Sequence, residues 1–461
     1  MSGVSRPPAA QLPSSAGDRD DIPDLPTAAV AGVGQAPDTT DGTDGTEDAQ
    51  DAGPTAVPLT EPRDGVPAPL VDAAELARVV EVLAAGHGPV AVDAERASGY
   101  RYGQRAYLVQ LRRADLGTVL VDPRALPDLS ALGAAIADDE WVLHAASQDL
   151  PCLRELGMAP NRVFDTELAG RLLGHPKVGL GPIVEQVLGL SLEKGHSAAD
   201  WSTRPLPEPW LRYAALDVEV LVELRDALAA ELDAQGKREW AEQEFAAVVA
   251  APPPAPRVDP WRRTSGLHRV RKRRQLAVVR AVWVRRDEVA RRRDIAPGRV
   301  LPDAAIVSAA LSAPRTEADL TALPVWGGRS LRRQTATWLP AILEGLDLPE
   351  ADLPDLKTPH EGPPPARSWG EREPAAAARL AAARTAVAAL ADEHRLPVEN
   401  LLAPDTVRRL CWEPPGGPAP DAAAVAEFLR EHGARPWQVE LTAGVLSGAL
   451  DRAARRTAVD D

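Results

Sequence analysis

Cysteine, methionine, phenylalanine and tyrosine are scarce in this chain of 461 residues, numbering two, two, three and four. The two cysteines, Cys152 and Cys411, are too few and too far apart in sequence for a disulfide framework or a cysteine-based zinc site. That scarcity fits a reducing compartment, so a cytoplasmic location is expected. Long apolar runs are missing as well. No stretch approaches the ~20 residues of a bilayer-spanning helix, and the N-terminus lacks the basic-then-apolar pattern of a secretion signal, so a soluble protein with no membrane partner is expected. Gly-x-Ser-x-Gly, Gly-x-x-x-x-Gly-Lys and His-Glu-x-x-His strings are absent, and the eight histidines are scattered.

What is present is charge, sorted by region. A net charge of −15 argues by itself against a polyanionic partner. The sum conceals a division. Residues 1–64 carry twelve acidic and three basic side chains, whereas residues 261–300 carry fourteen basic and three acidic ones. Residues 1–64, rich in Asp, Gly, Thr, Ala and Pro, have almost nothing large and apolar to bury and should form a disordered acidic tail. An alternative is a tail that competes with nucleic acid for a basic face.

Two proline-rich stretches, 251–260 and 348–367, read as linkers and divide the remainder into residues 65–250, 261–347 and 368–455. In the first part, Asp72 precedes Glu75 by three residues like a capping box and opens a helical pattern. Strands are expected at Pro89 to Glu95, Ala106 to Arg112 and Thr118 to Asp122, and again around Trp141 to His144, with mostly helical patterns to about Val249. Short turns between the first three favour antiparallel pairing, followed by strand-then-helix units. The second and third parts read as all-helical, of similar length, and as possible diverged copies.

Three acidic signals stand out. In Val90-Ala-Val-Asp-Ala-Glu95 the two-residue strand period points Asp93 and Glu95 to one face. Two carboxylates held together repel unless a cation lies between them, and Mg²⁺ prefers hard oxygen ligands. Asp149 falls in the first turn after the strand at Trp141 to His144, and Tyr213 and Asp217 lie one helical turn apart on one face. Read alone, each also fits a plain role: a solvated strand end, a charge at a helix N-terminus, a half-buried phenol beside a surface acid.

In order, Asp-x-Glu on a first strand, Asp after a later strand and Tyr-x-x-x-Asp on a closing helix resemble the DEDDy exonucleases, and most closely the ribonuclease D family. The resemblance extends through Gln104 to Leu111, Val119-Leu-Val-Asp-Pro123, Leu143-His-Ala-Ala-Ser-Gln-Asp-Leu150, Phe164-Asp-Thr166 and Asp200-Trp-Ser-Thr-Arg-Pro-Leu206, and covers about Val71 to Leu232. It implies an α/β ribonuclease-H-like domain, a mixed sheet flanked by helices, followed by two all-α helical domains. It further implies two divalent ions, Mg²⁺ or Mn²⁺, bound by Asp93, Glu95, Asp149 and Asp217, with Tyr213 orienting the attacking water. The implied reaction is stepwise 3′-to-5′ hydrolysis of RNA with a free 3′ end, tRNA precursors above all, to nucleoside 5′-monophosphates. Arg212 stands where the sister DEDDh group has histidine. One departure is Arg96, where the family often has an aromatic residue directly after the acidic pair. Lys194 and Asp200 sit near positions that line the family's substrate cleft.

The segment holding Arg269, Arg271, Lys272, Arg273 and Arg274, with Arg285-Arg286 and Arg291 to Arg293, is expected to lay a positive stripe on the first helix of the second part. Such a stripe binds phosphates with salt-sensitive, sequence-independent affinity. Leu267 to Leu346 resembles the helicase and ribonuclease D C-terminal (HRDC) domain, and Ser368 to Ala454 takes the place of a second, weaker copy with a packing role. Two other readings remain open: a non-catalytic nucleic-acid adaptor, and an exonuclease acting on single-stranded DNA. Nothing in the sequence reads the 2′-hydroxyl.

Overall fold

The computed structural model describes residues 56–460 apart from Lys194, Pro254 and residues 358–361. Residues 1–55 of the expected disordered tail therefore lie outside the described residues. The end of that stretch is ordered, which corrects the expectation: β1 (Val57–Leu59) pairs in parallel with β7 (Leu190–Leu192). Beyond it, Arg63 reaches Glu219 and Glu223, and Asp64 pairs with Arg112.

Asp72 caps α1 (Ala73–Ala85) by accepting the amides of Ala74 and Glu75. The chain then enters a five-stranded mixed sheet of order β4-β3-β2-β5-β6. β2 (Val90–Arg96), β3 (Ala106–Arg113) and β4 (Gly117–Val121) are antiparallel neighbours; β5 (Glu140–Leu143) and β6 (Arg162–Asp165) add in parallel on the other side of β2. This is the expected antiparallel opening and strand-then-helix continuation. Mostly helical patterns, and no named strand, were expected where β6 and β7 lie. β6 offers only Val163 and Phe164 as an apolar pair before its helix, too short a run to announce a strand.

Six helices follow or flank these strands: α2 (Ser130–Ala135), α3 (Leu150–Glu155), α4 (Thr166–Leu173), α5 (Leu180–Leu188), α6 (Glu208–Glu219) and α7 (Leu221–Ala234). They cover the two faces of the sheet unequally. Val90, Val92 and Ala94 of β2 enter the main core, while Ala91 packs on the other face with Val218 of α6 and Leu221 of α7. That second face carries the chemistry.

Beyond α8 (Arg238–Ala250), the helical parts are α9 (Arg273–Arg293), α10 (Pro297–Val300), α11 (Asp303–Ser312), α12 (Glu317–Thr321), α13 (Arg329–Arg332) and α14 (Thr335–Asp347), then α15 (Trp369–Arg372), α16 (Pro374–Glu393), α17 (Val398–Leu401), α18 (Pro404–Trp412), α19 (Ala422–Glu431) and α20 (Pro436–Asp460). Among the described residues no helix is long and apolar enough to cross a membrane. α9 and α14 approach closely because Gly345 faces the backbone of Val278, where a Cβ would stand 2.6 Å from its Cα. The run α9, α10, α11 recurs as α16, α17, α18. Each long helix ends near a left-handed residue (Asp294, Arg395), and each four-residue helix is followed by an extended leucine (Leu301, Leu402).

The two helical parts dock differently on the sheet domain. α10 and the end of α9 hold the loop that follows β2: Tyr102 donates to Asp287, Arg105 pairs with Asp294, Arg299 donates to the Gly99 carbonyl, and the Arg299 guanidinium lies 4.0 Å from the Tyr100 ring. The last part shares the main hydrophobic core with the sheet domain. There Trp240 and Trp437 stack at 4.9 Å, and the Lys237 ammonium donates to the carbonyls of Leu172 and His394.

Candidate active site

The strand period predicts Asp93 and Glu95 on one face, and the structure places them there beside Asp217 from α6. One carboxylate oxygen from each of the three lies within 4.8 Å of the others. Tyr213, one turn earlier on α6, lines a cavity beside Asp217. Asp149 lines the same cavity of about 550 Å³, with His144 and Tyr213, although it stands outside the tight trio. Asp149 is the N-cap residue of α3, yet its carboxylate caps no helix amide. It faces Arg96 instead, at 3.4 Å. Asp149 thus keeps the expected place of a charge at a helix N-terminus, while its carboxylate is turned to Arg96 and the cavity.

Burial dominates the electrostatics of these acids. It pushes Asp93 up, and drives Glu95 and Asp217 well above the usual carboxylate range, with repulsion from neighbouring acids adding to the last two. Asp149 rises to about 8, through burial first and the charge of Asp93 second. Arg96 is the cation that opposes this rise at Asp93, Glu95 and Asp149. The Tyr213 phenol is also pushed up by burial and by Asp217, so it keeps its proton. Three hard oxygen donors, converging and destabilised as anions, fit a divalent cation. His144 is not among them: its Nδ1 lies 2.9 Å from the Thr166 hydroxyl, and burial lowers its pKa to about 4.

Buried polar groups around the site explain several motif residues. Gln110, opposite Asp93 in the β2/β3 register and fully buried, donates to the Asp93 carboxylate at 3.3 Å. A single amide within the apolar run Tyr107 to Leu111 was its signal in the sequence. Asp165, buried at the end of β6, accepts the amides of Ala145 and Ala146, and those of Glu167 and Leu168 in α4. It thereby braces the turn that delivers Asp149. Asp122 and Arg204 form a two-armed ion pair at 2.6 and 2.7 Å, which ties the segment from Asp200 to Leu206 to the sheet. Asp200, expected near the cleft, accepts the amide and hydroxyl of Ser202 and braces that same segment. Lys194 lies outside the described residues.

The basic segment forms the expected stripe only in part: Arg291 to Arg293 are exposed in the last turn of α9, but the others divide. α9 begins at Arg273, so Arg269, Arg271 and Lys272 precede it, exposed. Arg273 donates to the carbonyls of Leu353 and Pro354, while Arg274 donates to the Leu348 carbonyl and pairs with Glu350. Arg286 is buried against Asp303 and the Leu301 carbonyl. These side chains fasten the start of the second proline-rich stretch and the helical core, where orphan carbonyls outcompete solvent for guanidinium donors.

Fold and acid cluster together define a 3′-5′ exonuclease, and comparison with known proteins agrees. Residues 68–233 match the family described as 3′-5′ exonuclease, residues 275–342 the HRDC domain, and residues 362–450 the 3′ to 5′ exonuclease C-terminal domain. The chain is 31% identical over 350 residues to ribonuclease D of Granulibacter bethesdensis, covering 74% of this chain and 84% of that one. A crystal structure of a protein from Bifidobacterium adolescentis superposes with a TM-score of 0.79 at 41% identity, covering 86% of this chain and 100% of that one. Escherichia coli RNase D, described as an exoribonuclease involved in structured RNA processing, superposes with a TM-score of 0.61 at 26% identity, covering 84% and 98%. The chain belongs to the ribonuclease D family.

Proposed function

We propose that this chain is a 3′-to-5′ exoribonuclease that hydrolyses RNA from a free 3′ end to nucleoside 5′-monophosphates, using two divalent ions, Mg²⁺ or Mn²⁺. The observation that carries the reading is the convergence of Asp93, Glu95 and Asp217 within 4.8 Å, in a cavity that also holds Asp149. Those four residues would hold the ions. When bound, a pair of divalent ions offsets the negative charge that grows on the attacking and leaving oxygens of a phosphodiester.

The protein's own groups do the positioning. Gln110 fixes one oxygen of Asp93, and Asp165 fixes the turn that carries Asp149. Tyr213 keeps its proton, so it acts as a hydrogen-bond donor that orients Asp217 and a water beside it. Arg269, Arg271 and Lys272 offer an exposed cationic segment to the RNA backbone. The RNA assignment is supported by the ribonuclease D relatives, and tRNA precursors, handled in the cytoplasm, are the substrates we favour. A passive adaptor has no use for four carboxylates turned into one cavity.

The test is a time course on 5′-labelled RNA with a 3′ hydroxyl, beside a matched DNA strand. Mg²⁺ or Mn²⁺ should produce a ladder shrinking from the 3′ end of the RNA. Asp93→Ala and Asp217→Ala should abolish it while keeping the parent circular dichroism spectrum. Undiminished degradation by both variants would refute the assignment, and faster degradation of the DNA would redirect it to single-stranded DNA.

A further inference from the structure

Arg96 directly follows the acidic pair, and by the two-residue strand period it belongs with Val92 and Ala94, whose side chains enter the main core. It does not go there. The β2/β3 register shifts between Glu95 and Arg96, the kind of irregularity that re-aims a side chain beside a site. The guanidinium instead reaches the Asp149 carboxylate at 3.4 Å and donates to the Gln148 carbonyl at 3.0 Å. The side chain keeps 26% of its surface exposed.

Its location matters as much as its partners. A second cavity, of about 280 Å³, lies between the loop Ser98 to Tyr100 and the segment Ser197 to Ala199. It shares Ala94, Glu95, Arg96 and Ser197 with the acidic cavity, and Arg96 is the cation among those four. A strand whose last phosphodiester reaches the acids and whose preceding nucleotide occupies the second cavity passes this guanidinium. Arginine's planar fork matches phosphate oxygens as well as it matches a carboxylate.

We infer that Arg96 is a phosphodiester-binding residue of this site, resting on Asp149 until substrate and cations separate the two. The inference rests on the proposed metal-dependent nuclease reading. Two opposite effects follow. Arg96 grips the substrate, so its loss weakens RNA binding. It also places a positive charge beside the cation-binding carboxylates and competes for Asp149, so its loss strengthens metal binding.

The experiment uses the full chain with Arg96→Ala and Arg96→Lys. For RNA with a 3′ hydroxyl, KM should rise roughly 10-fold in Arg96→Ala, with most of the loss in KM rather than kcat, and recover in part in Arg96→Lys. In a Mn²⁺ titration without RNA, Arg96→Ala should bind several-fold more tightly than the parent. A KM within twofold of the parent, or Mn²⁺ binding that is unchanged or weaker, overturns the inference. Should the alanine variant lose its fold, Arg96→Gln keeps the reach without the charge and carries the same test. Asp93→Asn separates the two levels: if it is inactive while Arg96→Ala behaves as the parent, this inference alone fails. If Asp93→Asn remains active, the nuclease reading beneath it fails.

Discussion

Like charges are treated in opposite ways in two parts of this molecule. In the sheet domain Asp93 and Glu95 of one strand converge with the distant Asp149 and Asp217 in one cavity, where burial raises all four and Arg96 is the opposing cation at three of them. In the HRDC part, arginines adjacent in sequence are dispersed: Arg273 and Arg274 go to the carbonyls of Leu348 to Pro354, Arg286 to Asp303, and Arg269 and Arg271 to solvent. Converging acids opposed by a single arginine suit a divalent cation, whereas a dense run of basic residues divides among backbone carbonyls, an acid and solvent. Of the acids within the basic segment, Asp287 and Asp294 hold the loop after β2, so even these tie the HRDC part to the nuclease.

The largest effect that sharpens this contrast belongs to the cavity. Tyr213→Phe removes one hydroxyl and should lower kcat by about 10- to 100-fold with Mn²⁺ affinity nearly unchanged, read by steady-state kinetics and titration. Parent-like kcat would remove Tyr213 from the chemistry. In the basic segment the two subsets should separate. Replacing Arg269, Arg271 and Lys272 together with alanine should weaken RNA binding about tenfold and flatten its salt dependence by up to about three contacts. Replacing Arg273 and Arg274 should instead lower the melting temperature, by about 2–4 °C for each kcal/mol lost, with little change in the salt slope. If both sets behaved alike, the division drawn here would be wrong.

The smallest expected effect concerns pH. Asp149 titrates near about 8 in the metal-free fold, far above its unfolded value, so the folded chain binds more protons than the unfolded chain between those values. Stability contributed by that protonation is present at low pH and is lost as pH rises through about 8. In chelator, the melting temperature should be a few degrees higher near pH ~6 than near pH ~8.5, and Mn²⁺ should stabilise more at the higher pH, because binding displaces protons. An opposite slope in chelator would contradict the burial assigned to these acids.

The sheet from β2 to β5 was legible in the sequence because each strand carries an unbroken run of three or more apolar side chains. The residues of the proposed metal site were legible for a related reason: Asp93 and Glu95 share a strand face, and Tyr213 and Asp217 share a helix face, whatever the tertiary arrangement. β1, β6 and β7 were not legible, since three or four residues give no period and their pairing depends on distant partners. The course of Arg96 was hidden too, because a single register shift reverses the side that alternation assigns to it. Arg273 and Arg274 misled for the converse reason: sequence displays their charge but not the carbonyls of Leu348 and Leu353 folded against them.

The claim beneath the whole account is that Asp93, Glu95, Asp149 and Asp217 form a site for divalent cations. Calorimetric titration of Mn²⁺ into the metal-free protein tests it without reference to activity. The parent chain should bind two ions, and Asp93→Asn and Asp217→Asn should each lose at least one while staying folded. Equal stoichiometry and affinity in parent and both variants would contradict the account.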